Sequence, residues 1–533
     1  MNSATHRVVN ATPEISELLK ISGAPSLSYA VIYQGHVIHT QHLGYRDIKA
    51  KLSPNDDTRH NINSMTKALT AALVAMEVTK GRLKWTSKVK EILPEFRSRN
   101  PIVEQECTIL DLLTHNTGLT ECDALWLGSQ NSILLDRDQL LRTFATLRPL
   151  TSFRSEAFVY NNWGYEIVGL ILEKVIGKEI AQLLSACIFA PLKMTRTGTS
   201  WENNDDNEVT SYTILDDFST TEIQRPKVGK GTLMEAAGGV KSSLNDLITL
   251  YTEMLSAISK AFNPHTSSSK SPNVFHDCAP TFISHRTIPG LSLREQTYAL
   301  GWCRGQLPGQ IGRIANNAAL VPPPIIGKGV QPQLIIYHHG SIPGGTTVVN
   351  LLPETQSAVI VLQNSSAPVD VADYAAQLLV EKLFNVPEPV DFVELARQHV
   401  AKAFKQASDV KMDLDRNRRL GTAPQPLSAY AGRYWNEFRN WCIDVSIDDD
   451  GELAMALQGL SSENFGLRHY HHDTFEWWMS WNEAVSRGRE AVAAASFWLI
   501  EFEVENERAV RLMWAMDPAM SENKEAFYLD GET

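Results

Sequence analysis

The apolar positions of this chain change their spacing several times, and each change marks an element. Leu27 to Tyr33 is a β-type run, Gln34-Gly35 a turn and His36 to His42 a second extended run, which predicts an opening hairpin, with sheet coming first. From Met65 to Val78 the chain is apolar nearly all round (Ala68, Leu69, Ala72, Leu73, Met76) and stops at Lys80-Gly81, as a buried central helix with a glycine at its end would. A second such helix is expected from Gly164 to Ile176, stopped by Gly177. Three β-type runs follow at Leu334 to His338, Thr346 to Leu352 and Ala358 to Gln363, then an apolar helix from Val371 to Phe384, which reads as an antiparallel sheet with a closing helix. Ser- and Pro-rich stretches between Asn263 and Asn273 and at Val321-Pro322-Pro323-Pro324 read as surface insertions, and the acidic run Asn203 to Glu208 as a solvated loop.

The pattern shifts after Pro389. Residues 391–424 form a polar, charged helical stretch that ends in Gly421-Thr422-Ala423-Pro424 and is expected to be a linker. Beyond it, short β-type runs alternate with turns such as Asp448-Asp449-Asp450-Gly451, and residues 430–533 hold seven of the twelve tryptophans. That pattern predicts a small antiparallel barrel. The expected organisation is therefore a domain over 1–390, a linker over 391–424 and a barrel over 425–533, and a chain ending near Pro424 is expected to stay folded.

Composition narrows the function. With 533 residues, 43% hydrophobic and 21% charged, the chain can bury a sizeable core. A formal net charge of −12 disfavours nucleic acid and anionic membranes as partners, and no run approaches the roughly 18 apolar residues of a membrane span. Six cysteines without paired spacing fit reduced thiols, so a cytoplasmic protein acting on a small molecule or peptide is expected. His36, His39 and His42 recur every three residues, and His469, His471 and His472 cluster. On a strand that spacing alternates faces, and neither set has a Cys or Glu at ligand spacing, so no metal and no cofactor is expected.

One pair carries chemistry. Ser64 and Lys67 stand i, i+3 at the start of the apolar helix and can touch. A serine hydroxyl needs a neighbour to take its proton, and a lysine can do so near neutrality where burial depresses its pKa. Free N–H groups at the helix start could hold a developing oxyanion. The same two residues also fit an N-cap serine followed by a solvated lysine.

Three segments in order decide between these readings. Ser64-Met65-Thr66-Lys67, Tyr160-Asn161-Asn162 and His338-His339-Gly340-Ser341 resemble the three motifs of the serine β-lactamase and penicillin-binding-protein superfamily. Flanking segments resemble it too: Thr108 to Leu119, Phe189 to Met194, Ala237-Gly238-Gly239-Val240 and Leu300-Gly301-Trp302. The likeness spans roughly residues 20–385 and leans to the class C, esterase and D-aminopeptidase branch. It implies an α+β fold in which an antiparallel sheet is flanked by helices beside an all-helical region. It also implies that Ser64 is the acylated nucleophile, Lys67 its activator and Tyr160 a proton shuttle. Asn162 would hold Lys67 or substrate, and the backbone N–H groups of Ser64 and Ser341, beside Gly340, would form the oxyanion hole. Leu427 to Tyr434 resembles the start of the lipocalin-like barrel appended to some relatives, where the barrel can line the active site.

The third motif departs from the lactamase pattern, which usually has Lys-Thr-Gly. A largely neutral imidazole at His338 anchors a carboxylate poorly, so ester or amide substrates are expected over penicillins. His338 is expected beside Lys67 and Tyr160, with activity falling as it protonates below about pH 6.5. The leading expectation is a serine hydrolase. An acyltransferase or peptide-cyclising thioesterase fed by a carrier-bound acyl donor is the alternative within the fold, and a catalytically silent ligand-binding or scaffold relative is the alternative outside enzymology.

Overall fold

The structure of the protein, a computed structural model, describes residues 3–201, 205–262, 273–290, 292–492, 494–520 and 523–531. Most of the expected Ser- and Pro-rich insertion, 263–272, lies outside the described residues, as do 202–204.

An eight-stranded antiparallel sheet organises the first three quarters of the chain. Its order is His36–Gly44, Ser26–Tyr33, Ser357–Gln363, Gly345–Leu352, Gln333–Ile342, Cys303–Leu307, Gln296–Tyr298 and Arg286–Thr287. The central strands are buried on both faces, which explains why they read as continuous apolar runs. On one face lie helices Ser3–Val9, Thr12–Ser22, Val371–Phe384 and Phe392–Asn417, sealed over Tyr29, Val348 and Val361. On the other lie the central helix Thr66–Thr79, the Leu244–Phe262 helix and an all-helical region that includes Asn162–Ile176.

Sheet does not come first. Two helices precede the hairpin, and the second, with Pro at its start and Ile15, Leu18 and Leu19 buried on one side, is an ordinary amphipathic surface helix. Nor is the whole acidic run solvated: Glu208 is buried between Arg59, whose Nη1 donates to its Oε1 over 2.8 Å, and Arg225. A buried carboxylate persists there because both oxygens are paired.

The C-terminal strands, from Gly432–Asn436 to Glu525–Leu529, form a closed eight-stranded antiparallel barrel sealed by pairing of its first and last strands at Tyr434 and Leu529. It is not an isolated unit. Trp441, Trp477, Trp498 and Trp514 join Trp126 and Trp163 of the all-helical region in one apolar core, in which Trp441 packs near Trp514 and its Nε1 donates to the carbonyl of Leu125 over 3.0 Å. The Cys122 N–H donates to Asp517, and the Ser129 N–H to Glu463 over 2.7 Å. Between two barrel strands, a short helix, Trp481–Ser486, leads into a segment, 487–492, that docks on the loop at Gln130, whose N–H donates to the Arg487 carbonyl. Arg489 anchors that segment on the buried Glu463. Among the described residues no helix is long and apolar enough to cross a membrane.

Candidate active site

Ser64 stands in the 3-10 turn Asn63–Met65 that opens the central helix, and Lys67 follows one turn later, fully buried. Two glycines allow the surrounding elements to close in. A Cβ at Gly340 would stand 2.4 Å from the Ile62 carbonyl oxygen, so only glycine lets strand Gln333–Ile342 lie against the Ser64 turn. At Gly301, φ is +78° and a Cβ would stand 2.7 Å from Ala68 Cα, which brings the Leu300-Gly301-Trp302 turn onto the helix.

Lys67 Nζ donates to Asn162 Oδ1 (2.7 Å) and the Ala237 carbonyl (3.0 Å) and lies 2.9 Å from Ser64 Oγ, to which it donates only as an ammonium. Burial pushes its pKa down to about 7, against the opposing charges of Glu121 and Asp123. A neutral amine has two donors and a lone pair. Asn162 and Ala237 can only accept here, so they take the two donors and leave the lone pair facing the Ser64 hydroxyl. Asn162 begins the Asn162–Ile176 helix, and its Nδ2 donates to Glu121 Oε1 over 2.9 Å and to Asp123 over 3.2 Å. That contact fixes which end of the amide meets Lys67.

Tyr160 is half-buried, with Lys67 Nζ 5.0 Å from its ring centroid and the ring stacked on His115 at 4.4 Å. Burial holds its pKa well above that of a free phenol, although a hydrogen bond with Ser64 pulls the other way. At neutral pH it is a phenol that can donate a proton. His115 Nδ1 accepts from the Asn161 N–H over 3.0 Å, so one residue steadies both Tyr160 and the backbone leading to Asn162.

His338 lies farther back than the third motif implied. It is wholly buried, its Nδ1 donates to the His339 carbonyl at 2.6 Å, and its Nε2 accepts from the Tyr298 hydroxyl at 3.1 Å. Burial drives its pKa to about 3. It therefore stays neutral at any working pH, contrary to the expected titration near 6.5, and it backs Tyr160 at a ring distance of 6.4 Å without lining the Ser64 pocket. His339 points to the opposite side of the sheet, against Asp373 at 3.0 Å. Ser341 is exposed in the pocket, its Oγ accepting from Asn316 Nδ2 over 2.8 Å.

Ser64, Asn162 and Ser341 line a pocket of about 80 Å³ together with Asp123 and Glu490. Alongside it, between the all-helical region and the barrel, lies a cavity of about 280 Å³ with Glu121 and Asp517 on its wall. Burial raises the carboxyl pKa values of Glu121 and Asp123, Asp123 to about 6, and the charge of Asp123 raises that of Glu121 further. Glu490 stays open to the cleft and its solvent.

The sequence reading missed Glu121, Asp123, Ala237 as an acceptor, Tyr298 and Glu490. Of these, only Ala237 lay in a segment already singled out.

Comparison with known proteins matches residues 13–383 to the family model described as Beta-lactamase and residues 417–528 to one described as Domain of unknown function (DUF3471). The unguisins hydrolase ungD of Aspergillus violaceofuscus is 24% identical over 465 residues, 80% of this chain and 74% of that protein. An Escherichia coli K12 protein named Beta-lactamase is 23% identical over 387 residues, 69% of this chain and 90% of that one. The octameric penicillin-binding protein homologue from Pyrococcus abyssi superposes with a TM-score of 0.56 at 18% identity, covering 98% of this chain and 99% of that one.

Proposed function

Because the chain belongs to the β-lactamase family of serine hydrolases, we propose that it cleaves an ester or amide through an acyl-enzyme on Ser64. The observation that carries this reading is the hydrogen-bond arrangement at Lys67, whose two fixed acceptors leave its lone pair to Ser64.

Ser64 Oγ attacks the substrate carbonyl while Lys67 takes its proton, and the carbonyl π electrons move to oxygen. The N–H groups of Ser64 and Ser341 are the expected donors to that oxyanion. As the carbonyl reforms, the leaving amine or alcohol departs with a proton from the Tyr160 phenol, which Lys67, now an ammonium, replaces. Water then attacks the acyl-enzyme while Lys67 takes its proton, and as the tetrahedral intermediate collapses the Lys67 ammonium passes a proton to the departing Ser64 Oγ, which returns as a hydroxyl. A resting phenol at Tyr160 and an amine near neutrality at Lys67 both support these roles.

The third motif supports neutral or cationic substrates over carboxylated lactams. No lysine stands where a β-lactamase would read a carboxylate, and Asp123, Glu490 and Asp517 border the cleft. That ungD is named a hydrolase of unguisins accords with the hydrolase reading. Six free cysteines accord with the cytoplasm. The test is turnover of neutral, cationic and carboxylated esters and amides by the parent and by Ser64→Ala. The variant should lose several powers of ten in rate. Turnover that survives in Ser64→Ala contradicts the proposal.

A further inference from the structure

Two cavities flank the Ser64 pocket, and Glu490 and Pro343 border all three spaces. The first, about 280 Å³, is walled by Trp477, Phe497, Trp498 and Met516 of the barrel, facing Ala124 and Leu127. The second, about 230 Å³, lies on the other side of the 487–492 segment and is walled by Asn316, Asn317, Ala403, Gln406 and Trp481. Each is smaller than the roughly 300 Å³ at which ordinary ligand sites begin, whereas joined through the Ser64 pocket they fall within the usual range. Asn316 makes the junction concrete, since its amide reaches from the second cavity to Ser341 in the first pocket.

We propose that these cavities are the two arms of one substrate cleft. The claim rests on the hydrolase reading above and names its substrate class. The substrate is an extended ester or amide with a bulky apolar group on one side of the scissile bond and a polar, hydrogen-bonding chain of peptide type on the other. The aromatic and thioether wall of the first arm gains from apolar burial, and most charged groups that share its lining are already engaged, Glu121 and Asp123 with Asn162, Arg489 with Glu463 and Asp517 with the Cys122 N–H. The second arm offers the side-chain amides of Asn316 and Gln406, so a chain carrying amides can replace the hydrogen bonds it gives up to water. The Phe392–Asn417 helix, which supplies Ala403 and Gln406, is thereby part of the site wall. The 487–492 segment, tied to Glu463 by Arg489, divides the two arms.

The experiment measures kcat/KM on N-acyl amino-acid esters and amides in which the apolar group and the polar chain are lengthened independently, with a compact aryl acetate as reference. Gln406→Trp narrows the second arm from a half-buried helix position, and Ala124→Phe narrows the first. Gln406→Trp should cost at least tenfold more on substrates with the long polar chain than on the reference, and Ala124→Phe at least tenfold more on those with the large apolar group. Asn316→Ala, which adds no bulk, should reduce selectivity for the polar chain about fivefold and covers the case in which a bulky variant does not fold. Equal losses on every substrate, or both bulky variants acting on the same group, overturn the two-arm cleft. Turnover of the reference that persists in Ser64→Ala overturns the hydrolase reading instead.

Discussion

Lys67 Nζ lies 2.7 Å from Asn162 Oδ1, and the other end of that amide is held by Glu121 and Asp123, so two carboxyl groups set both the position and the basicity of the amine beside Ser64. Burial lowers the Lys67 pKa to about 7, and the nearby negative charges keep it from falling further. The free amine, the form that can take the Ser64 proton, predominates above that pH. kcat/KM should therefore rise with pH through a midpoint near 7 and level off above it.

Asp123→Asn keeps an acceptor for Trp126 and Asn162 but removes a charge that raises the Lys67 pKa. The acid limb of the kcat/KM profile should move to lower pH, with a loss of no more than about tenfold on the plateau from looser positioning. A limb that stays in place or moves upward would show that Asp123 does not act on Lys67 through its charge.

His338 is already neutral, so it should not shape that limb. His338→Gln, compared with the parent across pH 5 to 9, should lower the plateau severalfold through the lost support of Tyr298 and leave the midpoint unchanged. A shifted midpoint would return His338 to the titrating groups of the site.

Much of the site was legible because it depends on local spacing. Ser64 and Lys67 meet because i, i+3 residues share a helix face, and Val371–Phe384 was readable to the residue because apolar positions surround it. Glu121, Asp123 and Glu490 were not legible. They sit in irregular segments whose placement follows from tertiary packing, and Glu490 reaches Ser64 across more than 400 residues of sequence. The burial of His338 was hidden for a related reason: a strand covered on both faces has no polar side to mark which residues meet solvent. The barrel itself could be read from its turns and tryptophans, but its attachment could not, because Trp441, Asp517 and Glu463 bind loops more than 300 residues away.

That attachment reverses the expectation for a shortened chain. Removing residues 425–533 strips the cover from Leu125, Trp126 and Leu134, which share the core with the barrel. At roughly 25 cal/mol per Å² of apolar surface, the cost should be on the order of several kcal/mol, comparable to the whole stability of a typical domain. The shortened chain should be insoluble or melt well below the parent in calorimetry. A cooperative transition at the parent temperature would show that the two parts fold independently.

The central claim is that Ser64 carries the acyl group. Intact-protein mass spectrometry after mixing with a fluorophosphonate, and separately with activated esters at short times, tests it most directly, with peptide mapping of the adduct. The account predicts one adduct per chain on the Ser64 peptide, none in Ser64→Ala, and formation slowed by several powers of ten in Lys67→Ala. An adduct of equal yield in Ser64→Ala, or one mapped to another residue while ester turnover continues, would contradict it.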